Sequence, residues 1–205
     1  ADLGPCIAVA AGALHSMAIR ADGEVRAWGR VDPPAARLVP PADLGPCTQA
    51  STYEAHALAV RRDGVVRGWG QDSSGEATVP ADMGAAISAA CGKGFSVALR
   101  TDGTVRAWGL NTSGQCNVPS ELGRCQRIAA GAAHVAALTV DGRVRCWGSN
   151  AYGQCDAPAT RPITDIACGS YHTVAFVPGP TCPADLDGDG HVDGRDLGSL
   201  RSEEH

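Results

Sequence analysis

The chain has 205 residues, 44% of them apolar and 4% aromatic, enough for one sizeable domain and a short appendage, with no run near the roughly 18 apolar residues of a membrane-crossing helix. Its formal charge of −5 is uneven: residues 1–181 hold 15 acidic and 15 basic side chains, whereas residues 182–205 hold seven and two. The larger part thus lacks the basic footprint of a nucleic-acid binder, so neither a nucleic-acid partner nor a membrane span is expected.

The first residue is Ala1, so a removed leader or a fragment is expected. Nine cysteines with no CxxC pair argue against a zinc ribbon and for disulfides in an oxidising compartment. The odd count leaves at least one of them without a partner within the chain.

In chain order, the first predicted element is a strand over Ile7–Ala10, followed by a strand bearing Met17 and Ile19. The Asp22-Gly23 turn and a third strand from Val25 to Trp28-Gly29 complete the unit. Asp-Gly between two apolar runs is a strong hairpin signal, because both residues tolerate positive φ. The unit then recurs. Trp-Gly returns at Trp69, Trp108 and Trp147, and Asp-Gly at Asp63, Asp102 and Asp141, with steps of 41, 39 and 39. One slot holds His15, His56, Phe95, His134 and His172. The strand before each turn alternates bulky and small residues, with Ala18, Ala59, Ala98, Ala137 and Ala175 in the small slot. One face is therefore bulky, and the other admits a close neighbour. No segment carries a long 3.6-residue period.

Small antiparallel sheets repeating about every 40 residues predict an all-β fold. It is a β-propeller or open arc of about five three-to-four-stranded repeats spanning 1–180. The units run approximately 1–40, 41–80, 81–119, 120–158 and a partial 159–178. Tyr53 replaces the glycine found at 12, 92, 131 and 169, and the linker Arg30–Pro41 is Pro-rich, so the second unit is expected to be irregular.

The pattern Ala130-Gly131-Ala132-Ala133-His134, then Asp141-Gly142-Arg143-Val144-Arg145-Cys146-Trp147-Gly148 and Gly153-Gln154, resembles the regulator-of-chromosome-condensation repeat. The short units ending in Val79-Pro80 and Val118-Pro119 look more like the secreted bacterial version, which includes a propeller-type β-lactamase inhibitor, than the nuclear exchange factor. The resemblance implies a ring, usually of seven blades. No inhibitory residue can be carried over.

Within this frame Cys116 precedes Cys125 by nine residues, and a disulfide between them would staple an inter-blade linker; otherwise both stand unpaired. Cys47 and Cys155 lack partners in their own linkers, and a partner of Cys6 would lie upstream of residue 1. Cys91 and Cys168 share a strand slot and are expected as buried thiols.

After Thr181-Cys182-Pro183 the sequence changes character. Asp185, Asp187, Asp189, Asp193 and Asp196 occupy loop positions 1, 3, 5, 9 and 12, Gly190 the sixth, and His191 would offer its carbonyl. This is the EF-hand arrangement of hard oxygens around calcium. Asp at position 12 resembles a dockerin loop, present once in residues 181–205, and a helix is expected after it. The alternative is an acidic disordered tail.

The repeated histidines share one slot that also accepts Phe95, so they read as structural. The tryptophans read as packing residues. No nucleophile elbow is present, and no enzyme is expected. The variable positions Leu14, Glu54, Lys93 and Tyr171 before or around the histidine slot, with Asn111, Asn150 and Tyr152 after Trp-Gly, are the candidate partner-binding rim. The expected function is an extracellular or cell-surface scaffold with calcium as cofactor and an unidentified protein partner. A calcium-dependent docking adaptor is the first alternative; guanine-nucleotide exchange or chromatin association is disfavoured by the neutral propeller.

Overall fold

A computed structural model describes residues 3–13, 15–29, 39–157 and 163–177. Leu14, the calcium positions Asp185, Asp187, Asp189, His191, Asp193 and Asp196, and the helix expected after them lie outside the described residues.

Four sheets repeat one design. The strands are β1 (Cys6–Ala11), β2 (His15–Arg20) and β3 (Val25–Gly29); β4 (Cys47–Thr52), β5 (His56–Arg61) and β6 (Val66–Gly70); β7 (Ala86–Cys91), β8 (Phe95–Arg100) and β9 (Val105–Gly109); β10 (Cys125–Ala130), β11 (His134–Thr139) and β12 (Val144–Gly148). A fifth, two-stranded sheet pairs β13 (Asp165–Cys168) with β14 (Thr173–Phe176). Each sheet is an antiparallel meander in sequence order.

Local chemistry explains the meander. In the first hairpin Gly23 takes φ 94°, its N–H donates to Arg20 O at 2.9 Å, and Asp22 Oδ1 accepts from Glu24 N–H at 2.9 Å. Asp63 and Asp102 cap the next two turns in the same way, at 3.1 and 2.9 Å. The first strand of each three-stranded sheet carries one irregularity, between Cys6 and Ala8, Cys47 and Gln49, Ala86 and Ser88, and Cys125 and Arg127. Such a bulge bends the strand and strengthens its twist. The sheet expected to be irregular obeys the same register, with His56 opposite Gly70 as His15 is opposite Gly29. Tyr53 lies in the turn between strands, where it does not disturb the ladder.

The core lies between successive sheets. Met17 and Ile19 of the first pack against Ala57, Ala59 and Trp69 of the second. Leu58 and Val60 pack against Ala98 and Trp108, and Val97 and Leu99 against Ala137 and Trp147. This is the bulky-on-small alternation expected from sequence. Each fully buried Leu or Ile stabilises the stack by about 1.5–3 kcal/mol. The turn glycines add a backbone tie: the carbonyls of Gly23, Gly64 and Gly103 accept from Cys47, Ala86 and Cys125 N–H at 2.9, 2.9 and 2.8 Å. The five sheets are therefore blades stacked in chain order.

Candidate functional site

The buried polar side chains of the histidine slot hold blades together. His56 Nε2 lies 3.0 Å from Ser96 Oγ in the next blade, and His134 Nε2 lies 3.1 Å from Thr173 Oγ1. His15 Nε2 bonds a hydroxyl of the next blade too, but that of Thr52 at the end of β4, since Ala57 holds the slot of Ser96. Each hydroxyl already donates to a carbonyl: Ser96 to Glu76 at 2.8 Å, Thr173 to Gln154 at 2.8 Å and Thr52 to His56 at 3.0 Å. The imidazoles must therefore donate through Nε2–H. Burial holds all three below the ordinary histidine pKa. The structural reading of these histidines stands, and Phe95 packs against Val135 where the hydrogen-bonding pair is absent. Trp108 and Trp147 are buried, and their Nε1–H groups donate to Glu76 O and Gln115 O of the preceding linker at 3.0 and 2.9 Å.

The linkers lock themselves. Asn111 Oδ1 accepts from Cys116 N–H and Asn150 Oδ1 from Cys155 N–H, both at 2.8 Å. Asn111 Nδ2 donates to Asn117 and Asn150 Nδ2 to Asp156, at 2.8 and 2.9 Å. Both asparagines, candidates for partner contact by sequence, serve their own loops. Buried Gln115 and Gln154 accept from Ser113 and Tyr152 N–H at 2.8 Å each.

The disulfide differs from expectation. Cys116 and Cys125 are free thiols, and the bond joins Cys146 to Cys155, with Cα atoms 5.1 Å apart. Cys146 sits on β12, and the linker that follows folds back across that strand. A cysteine in Gly-Gln-Cys therefore meets the third strand of its own blade rather than the first strand of the next. In the preceding repeat the strand slot is Ala107, which leaves Cys116 unpaired beside it in the same apolar cluster. Burial pushes the Cys116 thiol up to about 11 and that of Cys91 up to about 12. Cys91 is buried and Cys168 half-buried, both free.

The remaining rim residues do converge. The turns after β1, β4, β7, β10 and β13 meet at one end of the stack, where Ala13 N–H donates to Tyr53 O at 2.9 Å, Lys93 N–H to Ala132 O at 3.1 Å and Ala132 N–H to Ser170 O at 3.1 Å. Tyr53 Oη reaches Ser170 Oγ at 2.8 Å, a link between the second and fifth blades across the inside of the arc. Lys93 Nζ pairs with Glu54 Oε1 at 3.2 Å, and this bond holds the ammonium above its ordinary pKa. Tyr171 meets Tyr152 edge-on, with centroids 5.3 Å apart and planes at 68°, and both rings are largely exposed. They open a hollow of about 390 Å³ lined also by Gln154, Asp156 and His172. Glu54, Lys93, Tyr152 and Tyr171 were legible as variable positions. Ser170 carries no such signal in the sequence, and Tyr53 reads there only as a missing glycine. A larger hollow, about 640 Å³, lies on the outer flank between the first two blades. Its Arg26 is already paired with Glu24 at 3.0 Å, so it offers less unpaired chemistry.

Fold and repeat together define an all-β stack of propeller-type blades, similar in fold to RCC1-like propellers. Residues 6–30, 86–115 and 125–154 match the Regulator of chromosome condensation (RCC1) repeat. No curated protein matches the chain. Human WBSCR16 is similar in structure, with 23% identity and a TM-score of 0.69 over 86% of this chain and 58% of that one. Prp20p from Saccharomyces cerevisiae, whose described binding is to Gsp1p and histones, matches at 21% and 0.71 over 84% and 56%. The ectodomain of the Physcomitrella patens receptor kinase CR4 matches at 21% and 0.71 over 84% and 49%. The chain thus spans about half to three-fifths of the length of these structures. Among the described residues no three His, Cys, Asp or Glu side chains converge as a metal site, and no helix is long and apolar enough to cross a membrane.

Proposed function

We propose that this protein is a non-catalytic, extracellular protein-binding scaffold of the short bacterial kind, whose recognition surface is the axial cluster Tyr53, Glu54, Lys93, Tyr152, Ser170 and Tyr171. One observation carries the reading: an exposed tyrosine pair stands beside an ion pair where the turns of different blades meet at one end of the stack. Tyrosines with a few polar groups suit a protein surface, because they offer large contact area at low entropic cost. Calcium binds the loop Asp185–Asp196, which acts as a separate, dockerin-like segment at the cell surface.

A second reading has support from the solved structures: Prp20p is described as binding Gsp1p and histones, and a yeast RCC1 (Prp20) structure holds Kap60. By that likeness the cluster would take a partner like Gsp1p, a histone or Kap60 instead.

The test is a pull-down from the native extracellular fraction, with calcium and with chelator. Baits are residues 1–205, a Lys93→Ala/Tyr171→Ala variant and an Asp185→Ala/Asp189→Ala variant. The reading expects a partner retained in chelator and lost only with the axial variant. A partner lost in chelator and with the Asp variant would move recognition to the C-terminal loop and make the protein a calcium-dependent adaptor. Capture of purified Gsp1p, histone or Kap60 by the axial surface would favour the second reading.

A further inference from the structure

The turns between the first and second strands are built alike in four blades and differently in the second. Gly12, Gly92, Gly131 and Gly169 N–H donate to the carbonyls of His15, Phe95, His134 and His172 at 2.8–2.9 Å. A Cβ at any of these glycines would lie 2.0–2.7 Å from the ring of that histidine or phenylalanine. Tyr53 therefore cannot follow the same backbone path. In its turn His56 O accepts instead from Thr52 Oγ1, at 3.0 Å.

The ties from turn to turn differ as well. Lys93 N–H donates to Ala132 O and Ala132 N–H to Ser170 O, both at 3.1 Å, so backbone bonds join the third turn to the fourth and the fourth to the fifth. Among the described residues the second turn makes no such bond to the third. It is anchored from elsewhere, by Ala13 N–H on Tyr53 O at 2.9 Å and Gln71 N–H on Ala55 O at 2.7 Å. Its forward contacts are side chains: Tyr53 Oη with Ser170 Oγ at 2.8 Å, and Glu54 Oε1 with Lys93 Nζ at 3.2 Å.

Lys93 is thus the fixed member of the ion pair and Glu54 the movable one. The Lys93 turn is held by its bond to Ala132 O and by Leu110 N–H on Gly94 O at 2.8 Å. No other residue of 12–14, 53–55, 92–94, 131–133 or 169–171 carries a charge. Tyr53 and Tyr171 both stand near enough to act on the ammonium. The two side chains of the pair are 61% and 46% exposed, and an exposed ion pair is a weak bond that a competitor can replace.

We propose that Lys93 is the binding point for a carboxylate of the protein partner, and that Glu54 occupies it in the free protein as an internal stand-in that moves aside with the second turn. The inference rests on the axial cluster being the recognition surface. It gives the partner a chemistry: an acidic side chain presented between Tyr53 and Tyr171. A basic partner is disfavoured, because it would have to seek the movable charge and leave the fixed one unpaired.

The test is a titration of residues 1–205 with a blocked tetraglutamate peptide, up to about 10 mM, in the range of weak contacts. The amide NMR shifts of Lys93 and Gly94 report binding, and blocked tetralysine is the control. The wild type takes tetraglutamate and not tetralysine, and Lys93→Met takes neither. Glu54→Gln removes the internal competitor and binds tetraglutamate roughly two- to sixfold tighter, the reciprocal of the fraction of molecules in which an exposed pair stands open. Glu121→Gln removes an equal charge from the linker after the third blade and leaves the affinity unchanged. All three positions are exposed, so the variants fold, and their circular dichroism matches the wild type. Affinity that Glu54→Gln does not raise, a rise that Glu121→Gln equals, binding that survives Lys93→Met, or a preference for tetralysine overturns the proposal. A native partner retained by Lys93→Ala/Tyr171→Ala would instead count against the axial recognition surface itself.

Discussion

Nε2 of His56 lies 3.0 Å from the hydroxyl of Ser96, and that hydroxyl in turn donates to Glu76 O at 2.8 Å, so one hydrogen-bond chain crosses from the second blade through the third to the linker between them. Phe95 and Val135 occupy the same two slots one blade further on and meet as a purely apolar pair. At these steps slot and partner are matched, polar with polar and apolar with apolar, whereas at the first Ala57 fills the partner slot and His15 turns to Thr52 of β4.

Matching predicts coupling. His56→Phe leaves the Ser96 hydroxyl without its donor, and Ser96→Val leaves a buried imidazole N–H unpaired; each costs about 1–3 kcal/mol. The double variant His56→Phe/Ser96→Val rebuilds the Phe95–Val135 pair and recovers at least 1 kcal/mol of the summed loss, by roughly the coupling seen between residues in contact. Urea unfolding of the four species measures it. Additive losses would refute the matching.

The neutral histidines set a pH dependence. Burial, the leading cause, lowers the folded pKa of His15, His56 and His134 below 6.5. The unfolded chain then binds more protons than the folded one at acid pH. Stability from these groups is complete above pH 6.5 and declines as pH falls below it towards the depressed folded values, by up to about 1.4 kcal/mol per pH unit for each histidine. Glu76 and Asp72 oppose the shift at His56. Unfolding midpoints between pH 7.5 and 5 should fall for the wild type and fall less steeply for His56→Phe/Ser96→Val.

At Gly131 glycine is required by space rather than by backbone angle. A Cβ on Gly131 would sit 2.1 Å from His134 Cε1 and 2.6 Å from Gly169 O, with no room to shift. Gly131→Ala is expected to cost about 3 kcal/mol, at the upper end of overpacking. At Gly84 a Cβ meets nothing within 4 Å, but φ is +68°. Gly84→Ala should therefore cost only the left-handed penalty, about 1–2 kcal/mol. Thermal unfolding ranks the two, and the reverse order would contradict the crowding.

Strand and returning linker approach closely enough for a bond at Cys146–Cys155. Reduction, or Cys146→Ala, should cost about 2–3 kcal/mol for so short a loop. Ala107→Cys should offer Cys116 the equivalent partner one repeat earlier. Thiol titration would then lose two thiols relative to the variant's reduced form, and the melting temperature would rise. An unchanged thiol count would show that the two linkers fold differently.

The sequence alone determined the all-β repeat, its three-strand hairpin grammar and its bulky-on-small faces. These follow from local signals, namely Asp-Gly turns, alternation and a fixed spacing, which need no distant contact to act. It also marked Glu54, Lys93, Tyr152 and Tyr171 as variable within a fixed frame. Only the tertiary structure could decide which of the variable residues meet. Asn111 and Asn150 turn back into their linkers, while Tyr53 reaches a serine 117 residues away in sequence. It likewise paired Cys155 with Cys146 rather than Cys116 with Cys125. Spacing along a chain states how far apart two residues can be; which way a linker folds over its own blade is set by the packing of that blade against the next.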